Sequence, residues 1–259
     1  MKTLLLWLEG NLQSWGADSR YGNRATLPFP TRSGVLGLLC CAAGYDGEQI
    51  AWLAEMAEPK CTQTVRAYAR KTRSGEAQRQ PLLRDFHMVG AGYDMGDKWQ
   101  NLLVPKTAKG KRPGGTPQPT GQKITIRYYL QDMAYACALQ LPDDEAAKLE
   151  KALENPVWEL SLGRRNCPPS DIIGRGLFDD DASAFAKAEE IAAAKNRALV
   201  LEVRDGAHEN GDEIWTLNDV PLCFGQHKRY RDRQVTLFSP QESSATQDTQ
   251  QEGQNAQEK

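Results

Sequence analysis

The sequence predicts an α+β fold in which strands and helices share one mixed core. The chain has 259 residues, 40% hydrophobic and 25% charged, which is the size and balance of a globular protein. Short apolar or alternating runs indicate strands. Between them lie runs with apolar residues at helical spacing and with cap residues at their ends, which indicate helices.

In the first part of the chain we predict a strand, two helices and a second strand. The first helix has cap oxygens from Thr31 and Ser33 before it and Gly44 after it. An irregular loop over Leu12–Pro30 precedes that helix. In chain order, the predicted elements are Thr3–Glu9, Val35–Ala43, Glu48–Ala57 and Thr62–Tyr68.

A long hairpin is predicted next. Phe86–Val89 and Ile124–Tyr129 have the character of two strand arms. Leu103–Lys123 between them is rich in Gly, Pro, Thr, Lys and Arg and has almost no core-forming residues. We therefore expect a projecting β-hairpin, here called the thumb (about residues 84–130), with a mobile tip.

The remaining predicted elements are a strand, a helix, a strand, a helix and two strands, over Asp132–Leu141, Asp143–Leu153, Val157–Leu162, Ser183–Ala194, Ala198–Val203 and Arg231–Phe238. Up to residue 170 the order is strand, helix, strand, hairpin, strand, helix, strand, which predicts a ferredoxin-like (RRM-like) domain. Residues 171–238 are expected to form a smaller C-terminal β-rich lobe. Residues 239–259, rich in Gln, Ser, Glu and Thr, are expected to be a disordered tail.

Charge is segregated along the chain. Between residues 60 and 130 there are fourteen Lys/Arg against four Asp/Glu, a local charge of +10 in a chain whose formal net charge is −2. Such a basic segment is typical of a surface that binds a polyanion such as nucleic acid. A solvated lysine-rich loop is the alternative.

The apolar run at the N-terminus ends at Glu9 and is too short for an export signal, and no stretch is long enough to span a bilayer. The six cysteines show no Cys-x-x-Cys spacing, which favours reduced thiols in the cytoplasm. No metal, cofactor or nucleotide-binding loop is predicted.

Four motifs could bind phosphate or unpaired bases. The N-terminus of the first helix combines free backbone N–H groups with Thr31, Arg32 and Ser33, although it could be an ordinary capped helix. Arg84-Asp85-Phe86-His87 places a cation, an aromatic ring and an imidazole together, or is a surface ion pair. The basic tip suits backbone contact; its residues are Lys106, Lys109, Lys111, Arg112 and Lys123.

The fourth motif is Leu162-Gly163-Arg164-Arg165-Asn166-Cys167-Pro168, where Arg164 and Arg165 could clamp phosphate or be solvated in a turn. Four motifs, in this order along the chain, resemble the CasD family of the type I-E CRISPR complex Cascade: Leu12–Gly16, Phe29–Leu39, Arg84–His87 and Leu162–Pro168. The resemblance extends well from residue 1 to about 170 and weakly to 238.

The resemblance implies a non-catalytic subunit whose thumb wraps the 5′ handle of the guide crRNA. It implies that the subunit caps the CasC filament and helps to seat CasA for DNA interference, so that target DNA is an indirect partner. By the same resemblance the RNA contacts are Arg24, Thr31, Arg32, Ser33, His87, the thumb cations, Arg164 and Arg165.

An endoribonuclease that processes precursor crRNA is the alternative, because a related branch of the family cuts RNA. A metal-independent mechanism needs a general base near the scissile phosphate. His87 and His227 are the available bases, and Tyr21 could assist. A general binder of single-stranded nucleic acid is a further reading, which predicts affinity that is indifferent to the handle sequence.

Overall fold

A computed structural model of the chain describes residues 1–16, 19, 22–89 and 123–240. The predicted thumb tip, with Lys106, Lys109, Lys111 and Arg112, lies outside the described residues. So do Tyr21 and most of the predicted tail.

Within the described residues the protein is a mixed fold of four α-helices and twelve strands. The helices are α1 (Arg32–Ala43), α2 (Ile50–Met56), α3 (Asp143–Glu154) and α4 (Asp181–Ala194). The longer strands are β1 (Lys2–Gln13), β5 (Gln63–Lys71), β7 (Leu83–Val89), β8 (Lys123–Leu141), β9 (Gly174–Phe178), β10 (Arg197–Asp205), β11 (Glu213–Cys223) and β12 (Arg229–Phe238). Four two-residue strands are β2 (Trp15–Gly16), β3 (Asn23–Arg24), β4 (Thr26–Leu27) and β6 (Ala77–Gln78).

One large sheet organises these elements. Its strand order is β11-β12-β10-β5-β8-β1-β9, and every neighbouring pair on this path is antiparallel. Three shorter strands pair off this path: β7 and β3 with β8, and β6 with β5. The predicted α+β class is confirmed, and the sheet runs across residue 170, since β9 pairs with β1 and β10 with β5.

The centre of the sheet is buried on both faces, which explains why β1 reads as a continuous apolar run. Leu4, Leu6 and Leu8 pack into the main core with residues of α1 and α3. Leu5 and Trp7 point the opposite way and pack against α4. An alternating strand with one wet face would show every second residue polar, so the unbroken run indicates two covered faces.

Helix α4 covers the second face through small side chains. Ala184, Ala188 and Ala192 are buried there with Phe185, against Trp7 and its neighbours in the sheet. RRM-type modules bind RNA on the uncovered face of their sheet. In this chain α4 covers the part of the sheet around Trp7 and Tyr68.

The prediction of a strand over Val157–Leu162 is wrong. The backbone N–H groups of Val157 and Trp158 donate to the carbonyls of Ala42 and Cys41 at the C-terminal end of α1. The segment therefore donates hydrogen bonds to carbonyls at the end of α1 that have no partner within the helix, and it does not pair with a strand. The strand that follows α3 is β9, which was not predicted, and β11 was also missed.

Candidate nucleic-acid interface

A cleft of about 560 Å³, here called the arginine cleft, collects cations from three distant segments. Its lining residues are Arg24, Asp85, His87, Arg127, Arg164, Arg165 and Asn166. Four guanidinium groups therefore face one carboxylate.

The β7–β8 ladder supplies one wall of the arginine cleft. Asp85 pairs with Arg127 and His87 with Thr125 across the antiparallel ladder. Side chains two residues apart on a strand share a face, so Asp85, His87 and Arg127 all point to the same side. Neither Asp85 nor His87 is buried, so the imidazole is accessible to a ligand.

Arg24 reaches the arginine cleft because β3 lies parallel to β8, with Arg24 beside Arg127. The approach is close: the Gly22 carbonyl accepts a hydrogen bond of 2.7 Å from the backbone N–H of Ile126. A Cβ atom at Gly22 would lie 2.7 Å from the Ile124 carbonyl oxygen. Only glycine fits there, and it lets Arg24 come alongside β8.

Arg164 is held in place by the protein before any ligand binds. Its guanidinium donates to the Arg24 carbonyl at 3.0 Å and lies 4.9 Å from the centre of the Tyr129 ring. The Tyr129 hydroxyl in turn accepts a hydrogen bond of 2.9 Å from Asn166. A cation whose rotamer is already fixed loses less entropy on binding an anion, so Arg164 is well prepared for phosphate.

The turn that carries Arg164 and Arg165 depends on Gly163. Its φ is +86°, and a Cβ atom there would lie 1.9 Å from the Ser14 carbonyl oxygen. Ser14 also donates its backbone N–H to the Leu162 carbonyl. The twin arginines are therefore positioned by close packing of this turn on the end of β1.

The cations of the arginine cleft form a group of positive charges. Within the described part of the chain, no ion pair neutralises Arg24, Arg127, Arg164 or Arg165. Clustered cations in a concave surface raise the local concentration of an anion. The planar guanidinium also binds phosphate oxygens in pairs.

The structure places Arg32 in the interior, where it has partners of its own. Its side chain is 6% exposed, and its guanidinium binds Asp205 at 2.7 Å and donates to the carbonyls of Met56 and Cys61. Its backbone N–H donates to Asp219 at 2.8 Å. The Arg32 guanidinium is therefore used inside the fold, and a direct contact between Arg32 and phosphate stays a prediction.

Arg32 belongs to a group of two arginines and two aspartates, here called the ion cluster, in which Arg32 and Asp219 are buried and Asp205 and Arg233 are half-buried. Arg233 binds Asp219 with two parallel hydrogen bonds of 2.7 and 2.9 Å and also contacts Asp205. Burial lowers the pKa of Arg32, whereas the aspartates outweigh burial at Arg233 and raise its pKa. The ion cluster ties α1 to β10, β11 and β12.

Thr31 and Ser33 also lie away from the arginine cleft. Thr31 is buried and caps α1 by accepting a hydrogen bond of 3.1 Å from the backbone N–H of Gly34. Ser33 is half-buried and lines a different cleft, beside β11 and β12. Of Lys123, the structure describes the backbone, paired with Val89 at the start of β8.

Sequence reasoning missed Arg127 and Asn166. Arg127 stands in a predicted hairpin arm, and pairing the two arms in register would have put it opposite Asp85. Asn166 directly follows the twin arginines but carries no charge, so its residue type does not indicate a phosphate contact.

The described residues were compared with the requirements of a membrane-spanning helix and of a metal site. None of their helices combines the length and apolar character needed to cross a membrane. None of their His, Cys, Asp and Glu side chains gather in a group of three or more that could hold a metal ion.

Comparison with known proteins identifies relatives. Residues 3–236 match a family model described as "CRISPR-associated protein (Cas_Cas5)". The chain is 32% identical over 174 residues to "CRISPR system Cascade subunit CasD" of Escherichia coli (strain K12). That match covers 64% of this chain and 66% of the relative, slightly under two thirds of its length.

Solved structures agree with this match. A chain of a "CRISPR RNA-guided surveillance complex" superposes with a TM-score of 0.64 at 29% identity, covering 92% of this chain and 89% of the other. A second structure, "Crystal structure of Cas protein", superposes with a TM-score of 0.55 at 24% identity over 92% and 94% of the two chains, which supports the fold alone.

Proposed function

Because the chain belongs to the Cas5 family of CRISPR-associated proteins, we propose that it is a non-catalytic subunit of a type I-E Cascade surveillance complex. It binds the 5′ handle of the guide crRNA in the cytoplasm. It caps the CasC backbone filament, helps to seat CasA, and through them acts on target DNA.

The arginine cleft carries this proposal. Arg24, His87, Arg164 and Arg165 are far apart in the sequence, yet all line one cleft together with Arg127. Phosphate contacts fix the position of a nucleic acid, and planar guanidinium groups suit them. An RNA backbone that follows the cleft would meet four cations, one of them already held over Tyr129.

The finer fold that we propose is a ferredoxin-like domain with a thumb. The order β5-β8-β1-β9 supports it, because the four-stranded antiparallel sheet of that fold has the same arrangement of its second, third, first and fourth strands. The thumb is supported by the pairing of β7 with β8 from Leu83↔Tyr129 to Val89↔Lys123. The thumb cations remain predicted RNA contacts, and the lobe boundary near residue 170 remains a prediction.

We propose that the subunit does not cut RNA. General acid–base cleavage by two histidines would need both imidazoles near one phosphate. His87 lines the arginine cleft, whereas His227 lies in the 3₁₀ turn before β12 and does not line it. The similarity to a Cascade subunit likewise does not favour the nuclease alternative.

Competition binding tests the proposal. Purified full-length protein is titrated with labelled 5′-handle RNA and with scrambled RNA of equal length at physiological salt. We expect tighter binding to the handle, weakened by Arg127→Ala or Arg164→Ala and unchanged by Lys187→Ala, which removes an exposed cation on α4. Equal affinity for the two RNAs would contradict handle recognition and favour a general single-strand binder.

The same protein tests the nuclease alternative. Repeat RNA is incubated with it in EDTA, and products are resolved on a denaturing gel. We expect intact RNA. Specific cleavage that disappears in His87→Ala or His227→Ala would overturn the non-catalytic assignment.

A further inference from the structure

A second cleft, here called the tyrosine cleft, opens between β11–β12 and the segment that follows β1. Its volume is about 710 Å³, within the range of small-molecule pockets. Residues used in the argument below are Leu27, Ser33, Thr216, Asn218, Tyr230 and Asp232.

One wall of the tyrosine cleft is a face of the β11–β12 ribbon. Asn218 pairs with Asp232 across the ladder. Tyr230 lies two residues from Asp232 on the same strand, and Thr216 two residues from Asn218, so these four side chains share a face. Leu27 and Ser33 form the opposite wall.

The chemistry of the tyrosine cleft differs from that of the arginine cleft. Among the described residues that line it there is no Lys, Arg or His, and Asp232 contributes an exposed carboxylate. Phosphate would be repelled there. Tyr230 offers an aromatic ring that is 37% exposed, and burial raises the pKa of its hydroxyl, which therefore stays neutral.

The polar groups of the ribbon face mostly accept hydrogen bonds. One side-chain N–H of Asn218 donates to Asp232, which leaves the Asn218 carbonyl and the second Asp232 oxygen as acceptors and the other Asn218 N–H as a donor. Thr216 and Ser33 have hydroxyls that can donate or accept. A ligand that fits is flat, uncharged and carries N–H donors on one edge.

The tyrosine cleft lies close to the arginine cleft. Arg24 lines the arginine cleft and Leu27 the tyrosine cleft, three residues further along the chain. Even a fully extended chain spans at most about 11 Å over three residues. One strand of RNA can therefore have phosphates in the first cleft and a base in the second.

We propose that the tyrosine cleft holds one unpaired nucleobase that carries an exocyclic amino group, stacked on Tyr230 and bonded through its amino edge to Asp232 and Asn218. The inference rests on the proposed function, since the base belongs to the RNA whose phosphates lie in the arginine cleft. Uracil, whose edge carries two carbonyls, fits the acceptors poorly.

Abasic scanning tests this assignment. A series of 5′-handle RNAs, each with one nucleotide replaced by an abasic residue, is titrated against the full chain and against Tyr230→Leu. Loss of base–aromatic stacking is expected to weaken binding of intact RNA by about 5- to 150-fold. At one position of the series, the abasic RNA should bind both proteins equally, because no base remains to stack.

Two further variants sharpen the test. Tyr230→Trp keeps an aromatic face and should bind within about threefold of the unchanged protein, since every base can stack on it. Asp232→Asn replaces an exposed acceptor and should reduce the discrimination between cytidine and uridine at the sensitive position. This second variant keeps the proposal testable if Tyr230→Leu folds poorly.

The outcomes separate the two proposals. If Arg127→Ala weakens binding but Tyr230→Leu weakens intact and every abasic RNA equally, or not at all, the tyrosine cleft does not hold a base and the proposed function stands. If neither the arginine nor the tyrosine variants alter RNA binding, the proposed function itself fails.

Discussion

Replacing Arg32 by alanine should lower the stability of the folded protein and leave its affinity for RNA unchanged. The Arg32 guanidinium is buried against Asp205 and two backbone carbonyls in the ion cluster. Removing one partner of a buried ion pair costs about 3–5 kcal/mol, because the other charge stays buried. Asp205 retains Arg233, so the lower end of that range is expected.

Thermal denaturation followed by circular dichroism measures this effect. In a protein of this size, each kcal/mol lowers Tm by about 2–4 °C, so a loss of about 3 kcal/mol should lower Tm by about 6–12 °C. Arg32→Lys keeps a charge but loses the planar fork and should fall between the alanine variant and the unchanged protein. Arg165→Ala is the control, since it removes an exposed cation of the arginine cleft and should leave Tm unchanged while weakening RNA binding.

An unchanged Tm together with a loss of RNA affinity in Arg32→Ala would contradict this prediction. If Arg32→Ala melts within about 2 °C of the unchanged protein but loses affinity for handle RNA, then Arg32 contacts RNA and the ion cluster contributes little to stability. RNA titrations are made at a temperature where both proteins are folded, so that unfolding does not enter the comparison.

Three more predictions follow from the site and the core. Arg127→Ala should reduce the slope of log affinity against log salt by about 1, as expected for one lost phosphate contact, in anisotropy titrations at several salt concentrations. Gly163→Ala should destabilise the fold by about 1–3 kcal/mol in urea denaturation and weaken RNA binding, because a Cβ atom meets the Ser14 carbonyl and displaces the twin arginines. Burial would raise the pKa of Glu9, but hydrogen bonds from Trp7, Lys195 and Arg197 outweigh it and hold that pKa below its ordinary value of 4.5. The free energy of unfolding should therefore fall as pH drops below about 4.5. Glu9→Gln should reduce this fall, as measured by urea denaturation at several pH values.

Each of these has a control or a contradicting result. A salt slope unchanged in Arg127→Ala would mean that this side chain does not touch phosphate. Gly47 also has a positive φ, but a Cβ atom there would have no atom within 4 Å. Gly47→Ala should therefore lose less stability than Gly163→Ala and keep its affinity for RNA. The direction of this pH effect follows from the lowered pKa of Glu9. The Glu9 carboxylate stabilises the fold at pH values above its pKa in the unfolded chain, and this stabilisation is lost as the pH falls through its pKa in the folded protein. If the Glu9→Gln protein lost as much stability at acid pH as the unchanged protein, this prediction would be contradicted.

Much of the fold could be predicted from the sequence. The apolar run of β1, the capped helix α1 and the acidic first turn of α3 are local signals, and each element formed close to the expected residues. β9 and β11 were missed because they lack a clear alternating pattern. The segment after Glu154 was mistaken for a strand because burial against a helix end and burial in a sheet leave similar apolar residues.

The candidate site was only partly predictable. His87, Arg164 and Arg165 were predicted from their residue types and Arg24 from the family resemblance, and the structure brings all four to one cleft. Arg32 has the same residue type and stands in an equally suggestive motif, yet its guanidinium lies inside the fold. The difference depends on Asp205, which is 173 residues away in the sequence.

The sequence by itself determined most of the longer elements, the basic middle segment and the family, because caps, periodicity and ordered motifs are local features of the chain. Only the tertiary structure decided which arginines face solvent and which are paired inside. It also decided that α4 covers one face of the sheet and that the tyrosine cleft lies beside the arginine cleft. Charge and aromaticity are properties of a residue, but the freedom to bind a ligand depends on neighbours brought in from distant parts of the chain, and those neighbours are set by packing.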